Sequence, residues 1–395
     1  MGKGNVAILD IRSNEISFSL GAKGVNGTFV FSDSHNEPYE GFLDDGFLDE
    51  KSFCEAVRLA VTSVRHNHKG KINEVFVGVP SAFVSVKTKG HTLSFSSKRK
   101  ISALDIDALF ESGLNELQSD GRCIRRSQMY FSLGDNRKYF SEKELYGVPT
   151  NLLKGALCYY FVPDTFYDTV YGVLNELSIQ TVHFIPSTLS QALYLLPEVK
   201  REGYAFLLDV GFLTTSITVL YGNGIVHEET FNCGIGEVLV ALMEEFDVDF
   251  STAEEILASA DISGGGVPKE MTWGTEAGDK LFSVQKINDV IKYTLDSICE
   301  RVDAFFAKYY KDKNTTGLTV NPISITGEGV NGIRGIAEHV SRRISRLTEV
   351  VVPDLPYFDK PSFSSRIALL NAAVSEEKKR SWIQRIFRSF GGKHE

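Results

Sequence analysis

The sequence predicts an α/β protein in which two copies of one domain flank a cleft. Three observations carry that expectation: an Asp-ended hairpin pattern at residues 6–20, its recurrence at residues 205–220, and a strand–glycine turn–helix pattern at residues 322–340. At 395 residues the chain exceeds what one simple core holds, so two or three domains are expected.

Residues 6–20 read VAILDIRSNEISFSL and residues 205–220 read AFLLDVGFLTTSITVL. With Asp10 set on Asp209 the two segments share one pattern. Each is an apolar strand ending in Leu-Asp, a short polar turn, then a second strand. Ile16, Phe18 and Leu20 alternate in the first copy, and Ile217, Val219 and Tyr221 in the second. Alternation of period two across a turn is a hairpin signal. Small turn residues let backbone N–H groups approach a phosphate. An aspartate at the strand end, as Asp10 and Asp209 are, can hold a magnesium ion, usually through water. Two such hairpins face to face clamp a nucleotide triphosphate. Two unrelated hairpins are the alternative, but recurrence half a chain apart favours duplication. Such a duplicated pattern resembles the actin and sugar-kinase architecture.

The third element, PISITGEGVNGIRGIAEHV at 322–340, reads as a strand, a glycine turn (Gly327, Gly329, Gly332) and an amphipathic helix. Such a turn brings backbone close to an adenine or ribose. Between the hairpins, 51–66 has helical spacing, 73–80 reads as a buried strand, and 81–160 changes character to a small α+β module. There, 85–95 alternates and 102–117 reads as a helix capped by Ser102, with Asp105 at the capping-box position. Helices at 164–177 and 189–196 enclose a strand at 180–186. Past the second hairpin, 236–246 and 252–259 are expected to be helical, the latter capped by Ser251. Residues 261–278 read as a glycine-rich loop, with Gly264–Gly266 as a flexible connection, and 284–310 as a long amphipathic helix.

Composition narrows the function. Charged residues make up 24% and the net charge is -9, which argues against a general nucleic-acid binder. The five cysteines are widely spaced with no CxxC pair, so no zinc knuckle or thioredoxin-like site is suggested. Their odd number and the lack of a leader-like start fit a reducing cytoplasm. No window reaches the roughly 18 apolar residues of a membrane span.

The end of the chain reads differently. Residues 376–395 are EEKKRSWIQRIFRSFGGKHE. Trp382, Ile383, Ile386, Phe387 and Phe390 fall on one helical face, with Lys378, Lys379, Arg380, Arg385 and Arg388 on the flank and opposite side. That pattern fits a helix lying in an anionic lipid interface. Each Lys or Arg there adds ~1 kcal/mol. A terminal helix docked on the protein's own core is the competing reading. Residues 375–380 read as a short linker, about 20 Å when extended.

With these pieces placed, the chain resembles FtsA, the bacterial actin-like family that ties the division ring to the membrane. The motifs follow in family order: LDIRSNE, INEVFVGVP, ISALDIDAL, ELYGVPTNLLKGALCYYF, LLDVGFLTTSITVLYGNGIV, FNCGIGEVL, STAEEIL, SITGEGVNGIRGI and the tail. The resemblance implies an actin-like, ribonuclease-H-like duplicated fold. Domain 1 would be 1–80, 161–200 and 345–375, with the inserted subdomain at 81–160. Domain 2 would be 201–344, with its outer part at about 225–310, and the membrane tail 376–395. The related family PilM shares the body but not usually the tail, and is the second reading.

The resemblance also implies ATP and Mg2+ in the cleft. Asp10, Arg12, Ser13, Asp209, Gly211, Thr214 and Thr215 would stand at the phosphates, with Asp10 and Asp209 at the metal. Gly234, Gly236, Glu254, Gly327 and Gly329 would stand at the nucleoside. The chain departs from the family pattern at several positions, and four of these bear most on ATP use. Arg12 replaces a glycine, Phe212 a small residue, Leu257 a lysine, and Glu328 stands in the adenosine loop. Together they predict weakened or lost ATP use and no efficient ATPase. The implied partners are the C-terminal peptide of FtsZ, an anionic membrane and further copies in short filaments, with no nucleic acid. The implied place is the cytoplasmic face of the plasma membrane at the septum. A small-molecule kinase of the same superfamily needs better phosphate loops than these.

Overall fold

The computed structural model describes residues 5–24, 26–68, 70–118, 121–135, 137–264, 269–275, 278–310 and 321–391, and only the backbone of 275, 279 and 379–391. Two five-stranded sheets organise it. The first runs in the order Thr181–Pro186, Glu74–Val79, Val6–Ile11, Glu15–Lys23, Phe29–Pro38. The second runs Gly224–Phe231, Thr215–Tyr221, Tyr204–Val210, Ile323–Thr326, Thr348–Val350. In each, the Asp-bearing central strand pairs antiparallel with the strand after it and parallel with its other neighbour. Asp10 sits opposite Ser17 and Gly78, and Asp209 opposite Ser216 and Thr326. The two hairpins are thus one motif used twice, as the sequence pattern predicts.

Val6–Ile11 is buried along its whole length, which explains its unbroken apolar run. The outer strand Phe29–Pro38 escapes a periodicity reading because FVFSDSHNEP is polar after its start. It holds its place through backbone pairing with Glu15–Lys23 at an edge where polar side chains are tolerated.

The module forms a three-stranded sheet in the order Ser85–Lys100, Pro149–Val162, Arg122–Ser132, backed by the helix Ala103–Asn115. Leu109, Phe110, Phe131, Leu153, Leu157 and Tyr159 give this module its own core. The expected capping box is present: Ser102 and Asp105 satisfy each other's backbone N–H groups.

Three expectations are corrected. Helix Phe250–Ser259 is capped by Asp249, whose side chain accepts from the Thr252 amide, and not by Ser251. The helix starts two positions earlier than the sequence pattern predicts. The expected loop at 261–278 contains a strand, Glu270–Thr275, paired with Gly278–Ser283. Trp273 packs on Phe282 at 5.6 Å, and that contact outweighs the local glycine content. Of the expected connection, residues 265–268 lie outside the described residues. Finally, 375–380 is no extended linker. It lies inside one helix, Ser364–Gly391, whose first turns bury Ile367, Leu369, Leu370, Ala373 and Val374 against the first sheet. At 1.5 Å per residue these six positions advance about 9 Å, not 20.

All five cysteines are free. Among the described residues no helix is long and apolar enough to cross a membrane.

Candidate functional site

The two hairpin turns face each other across a cleft between the sheets. Asp10 ends the first central strand with no exposed surface. Its Oδ1 accepts from the Ser365 hydroxyl at 2.6 Å, and its Oδ2 lies 3.3 Å from Nε of Arg12. The Arg12 side chain lies in the cleft. Nη1 reaches Glu328 Oε2 at 3.4 Å, and Nη2 donates to the Ser362 carbonyl at 2.8 Å. Burial alone would lower this guanidinium's pKa, but the charges of Asp10, Glu328 and Glu15 outweigh it and push it up. Arg12 is therefore a fixed positive charge.

Asp209 ends the second central strand. Burial raises its pKa, opposed by a hydrogen bond with Gln191 and the Arg12 charge. Burial likewise raises Glu328, against the pull of Arg12. Gly327 holds φ +102 beneath Asp209. A Cβ there would lie 2.4 Å from Asp209 Oδ1 and from the Val210 carbonyl, so only glycine fits.

The cleft is lined by Arg12, Ser13, Asp209, Gly211, Thr214, Gly327 and Glu328, together with hydroxyls from Ser81, Ser187, Thr188, Ser216, Ser364 and Ser365. The sequence reading had named Asp10, Arg12, Ser13, Asp209, Gly211, Thr214 and Gly327, and the structure brings these together. It does not bring Thr215, Gly234, Gly236, Glu254 and Gly329 to the lining. Thr215 is fully buried in the sheet. Gly234 and Gly236 pack under the second turn, where Gly236 N–H donates to the Phe212 carbonyl at 2.9 Å. Glu254 points to solvent, and Gly329 packs on Val210 and Ile235. Phe212 also turns away, toward Gly236 and Phe250, so it does not block the turn's open side.

Sequence reasoning missed the connecting helix Ser187–Leu195 as a cleft wall. The Ser187 hydroxyl and the Gln191 carbonyl oxygen are buried there without a partner. A hydroxyl-rich STLSQ run directly after a predicted strand was the available signal. Also missed was the start of the C-terminal helix, far from both hairpins in sequence.

Direct bonds close the cleft. The Leu213 amide donates to Ser13 Oγ at 2.9 Å, joining one turn to the other. Asn232 Nδ2 donates to Asp44 Oδ1 at 2.7 Å, and the Asp44 amide donates back to Asn232 Oδ1. Thr230 and Ser81 share a hydroxyl bond at 2.8 Å, and Thr188 donates to Glu228. The remaining cavity is about 70 Å³. That holds a few waters, far below the ~300 Å³ at which small-molecule pockets begin. A magnesium–nucleotide does not fit this arrangement, because Arg12 lies on Asp10 and the facing turns bond to each other.

No protein-family model and no curated protein matches the chain. Solved structures do, and they show the actin-like fold. PilM of the PilM–PilN type IV pilus biogenesis complex superposes with a TM-score of 0.58 at 12% identity, over 93% of this chain and 98% of that one. MreB5 of Spiroplasma citri bound to AMPPNP gives 0.56 at 11%, over 98% and 99%. The MamK double helical filament gives 0.50 at 14%, over 93% and 99%. Coverage at this level makes the whole chain one actin-like α/β fold.

Proposed function

We propose that the chain is an FtsA-like scaffold, which self-assembles into short filaments and tethers the FtsZ ring to the cytoplasmic face of the plasma membrane at the division site. The observation that carries this reading is the helix Ser364–Gly391. Its first half is built into the actin-like body, and its backbone continues without a break into the aromatic and basic tail sequence. The side chains of Trp382, Ile383, Ile386, Phe387 and Phe390, and of Lys379, Arg380, Arg385 and Arg388, lie outside the described residues. Lys378 is exposed. One amphipathic helix gives modest, reversible lipid affinity, and a filament multiplies it by avidity.

The tether is tested with liposomes. Trp382→Glu with Phe387→Glu should release the chain from anionic vesicles, and unchanged co-sedimentation refutes the membrane role. In this reading ATP use is weakened or lost. Calorimetry with Mg-ATP is expected to show no micromolar binding, and binding with steady phosphate release would sink that part.

A second reading is a PilM-like assembly component that binds a peptide of a membrane partner. Similarity to PilM, over 98% of that chain, favours it. Capture of the C-terminal peptide of FtsZ separates the two, since only the first reading expects it.

A further inference from the structure

We propose that Arg12 is an internal counter-ion: it takes the place of the cation in this cleft and, with Glu328, latches the two halves shut, so that Asp10 and Asp209 become a divalent-cation site only when Arg12 is withdrawn. This rests on the reading that the cleft does not use ATP, and it changes what that loss means. The site is refilled from within.

The charges argue for it. Asp10, Asp209, Glu15 and Glu328 converge on the cleft, and Arg12 is the cation lying among them. Arg366 also faces Asp10 and Glu15, but its guanidinium is engaged with Ser34 and Asn36 on the outer strand of the first sheet. An added phosphate group would meet carboxylates that Arg12 only partly offsets. Arg12 bridges a carboxylate of each half, Asp10 from the first hairpin and Glu328 from the strand–turn element of the second. Removing one partner of such a part-buried pair leaves the other charge poorly compensated.

Geometry gives the second argument. Beside Asp10 and Asp209 stand the Ser187 hydroxyl and the Gln191 carbonyl oxygen, both buried and both without a hydrogen-bond partner. A Cβ built on Gly78 would lie 2.8 Å from Ser187 Oγ and 3.5 Å from Asp10 Oδ1, so these oxygens share one nook. Carboxylate, hydroxyl and amide oxygens are the donor set a hard divalent ion takes. Arg12 supplies the positive charge there, through N–H donors on a tethered side chain that cannot dissociate. A glycine at position 12 would leave that volume to water and the ion.

The test compares the wild-type full chain with Arg12→Gly and Glu328→Ala, using Mn2+ as the probe and hydrogen exchange at the Leu213 amide, which donates to Ser13 Oγ across the cleft. The wild type is expected to show no saturable Mn2+ binding and a protected Leu213 amide. Arg12→Gly should bind Mn2+ at least tenfold more tightly and exchange Leu213 at least tenfold faster. Glu328→Ala keeps Arg12 on Asp10, so it should speed Leu213 exchange without a gain in Mn2+ binding. It also keeps the latch testable if Arg12→Gly does not fold, since wild-type exchange in Glu328→Ala overturns the latch. An Arg12→Gly chain that folds with wild-type protection and wild-type Mn2+ binding overturns both the counter-ion and the latch, and leaves the reading of lost ATP use standing. Micromolar ATP binding by the wild type that vanishes in Arg12→Gly makes Arg12 a phosphate ligand, and overturns both the latch and the reading it rests on.

Discussion

Glu228 lies between the halves with one oxygen bonded to Thr188 and Thr218 and the other buried without a partner. Burial pushes its carboxyl up to about 7, only partly offset by the two threonine hydroxyls. An unfolded glutamate ionises near 4.3. Between those values the folded chain keeps a proton that the unfolded chain has lost, so stability falls as pH rises through the window and levels off above it. The full loss is on the order of 3 kcal/mol. Glu228→Gln keeps an acceptor for both threonines and removes the titration. Denaturant unfolding should show the variant more stable than the wild type at pH 8, by roughly 1–3 kcal/mol, and nearly equal to it at pH 4.5. A wild type with no slope between those pH values would contradict this account. At the same scale, Arg12 shows what a sequence can and cannot say. Its presence in a glycine position was legible, whereas its partners Ser362 and Glu328 stand more than 300 residues away. No local pattern reports such a contact.

Among the elements, the helix Ser364–Gly391 carries the most consequence. Leu370 has no exposed surface, and a Cβ on Gly21 would come within 2.7 Å of its Cδ2, so helix and sheet are in close contact. Leu370→Ala should cost about 2–5 kcal/mol in urea unfolding, because the sheet cannot collapse onto the space left. A cost under about 1 kcal/mol would mean that the helix is not held there. The hairpin strands were legible because they are buried and periodic. The pair Glu270–Thr275 and Gly278–Ser283 was not, since the glycines weigh toward a loop and the Trp273–Phe282 contact joins residues on separate strands. The turn glycines Gly234 and Gly236 were legible as special backbone, yet they serve the packing of the second turn and not a ligand.

For the whole molecule, the duplicated fold followed from two aspartates in matching strands, and that part of the reading stands. The state of the cleft did not follow, because a cavity depends on how separate segments meet. If the halves are already bonded across Ser13–Leu213, Asp44–Asn232 and Arg12–Glu328, assembly needs no nucleotide to set the closed shape. Light scattering of the full chain on anionic vesicles should therefore rise to the same plateau with or without Mg-ATP, within about twofold. Assembly that requires Mg-ATP would contradict a pre-closed body.

The root of the C-terminal helix gives that body a mechanical property. Ser365, in its first turn, bonds to Asp10, and the same rod runs on for 28 residues, about 42 Å. A slack tether would absorb a pull on its far end. This one, braced along the way by the Arg125–Glu376 ion pair, would conduct such a pull to the aspartate at the base of the cleft. In the proposed tether, tension borne at a lipid surface would reach Asp10, the carboxylate that Arg12 bonds, along this one helix.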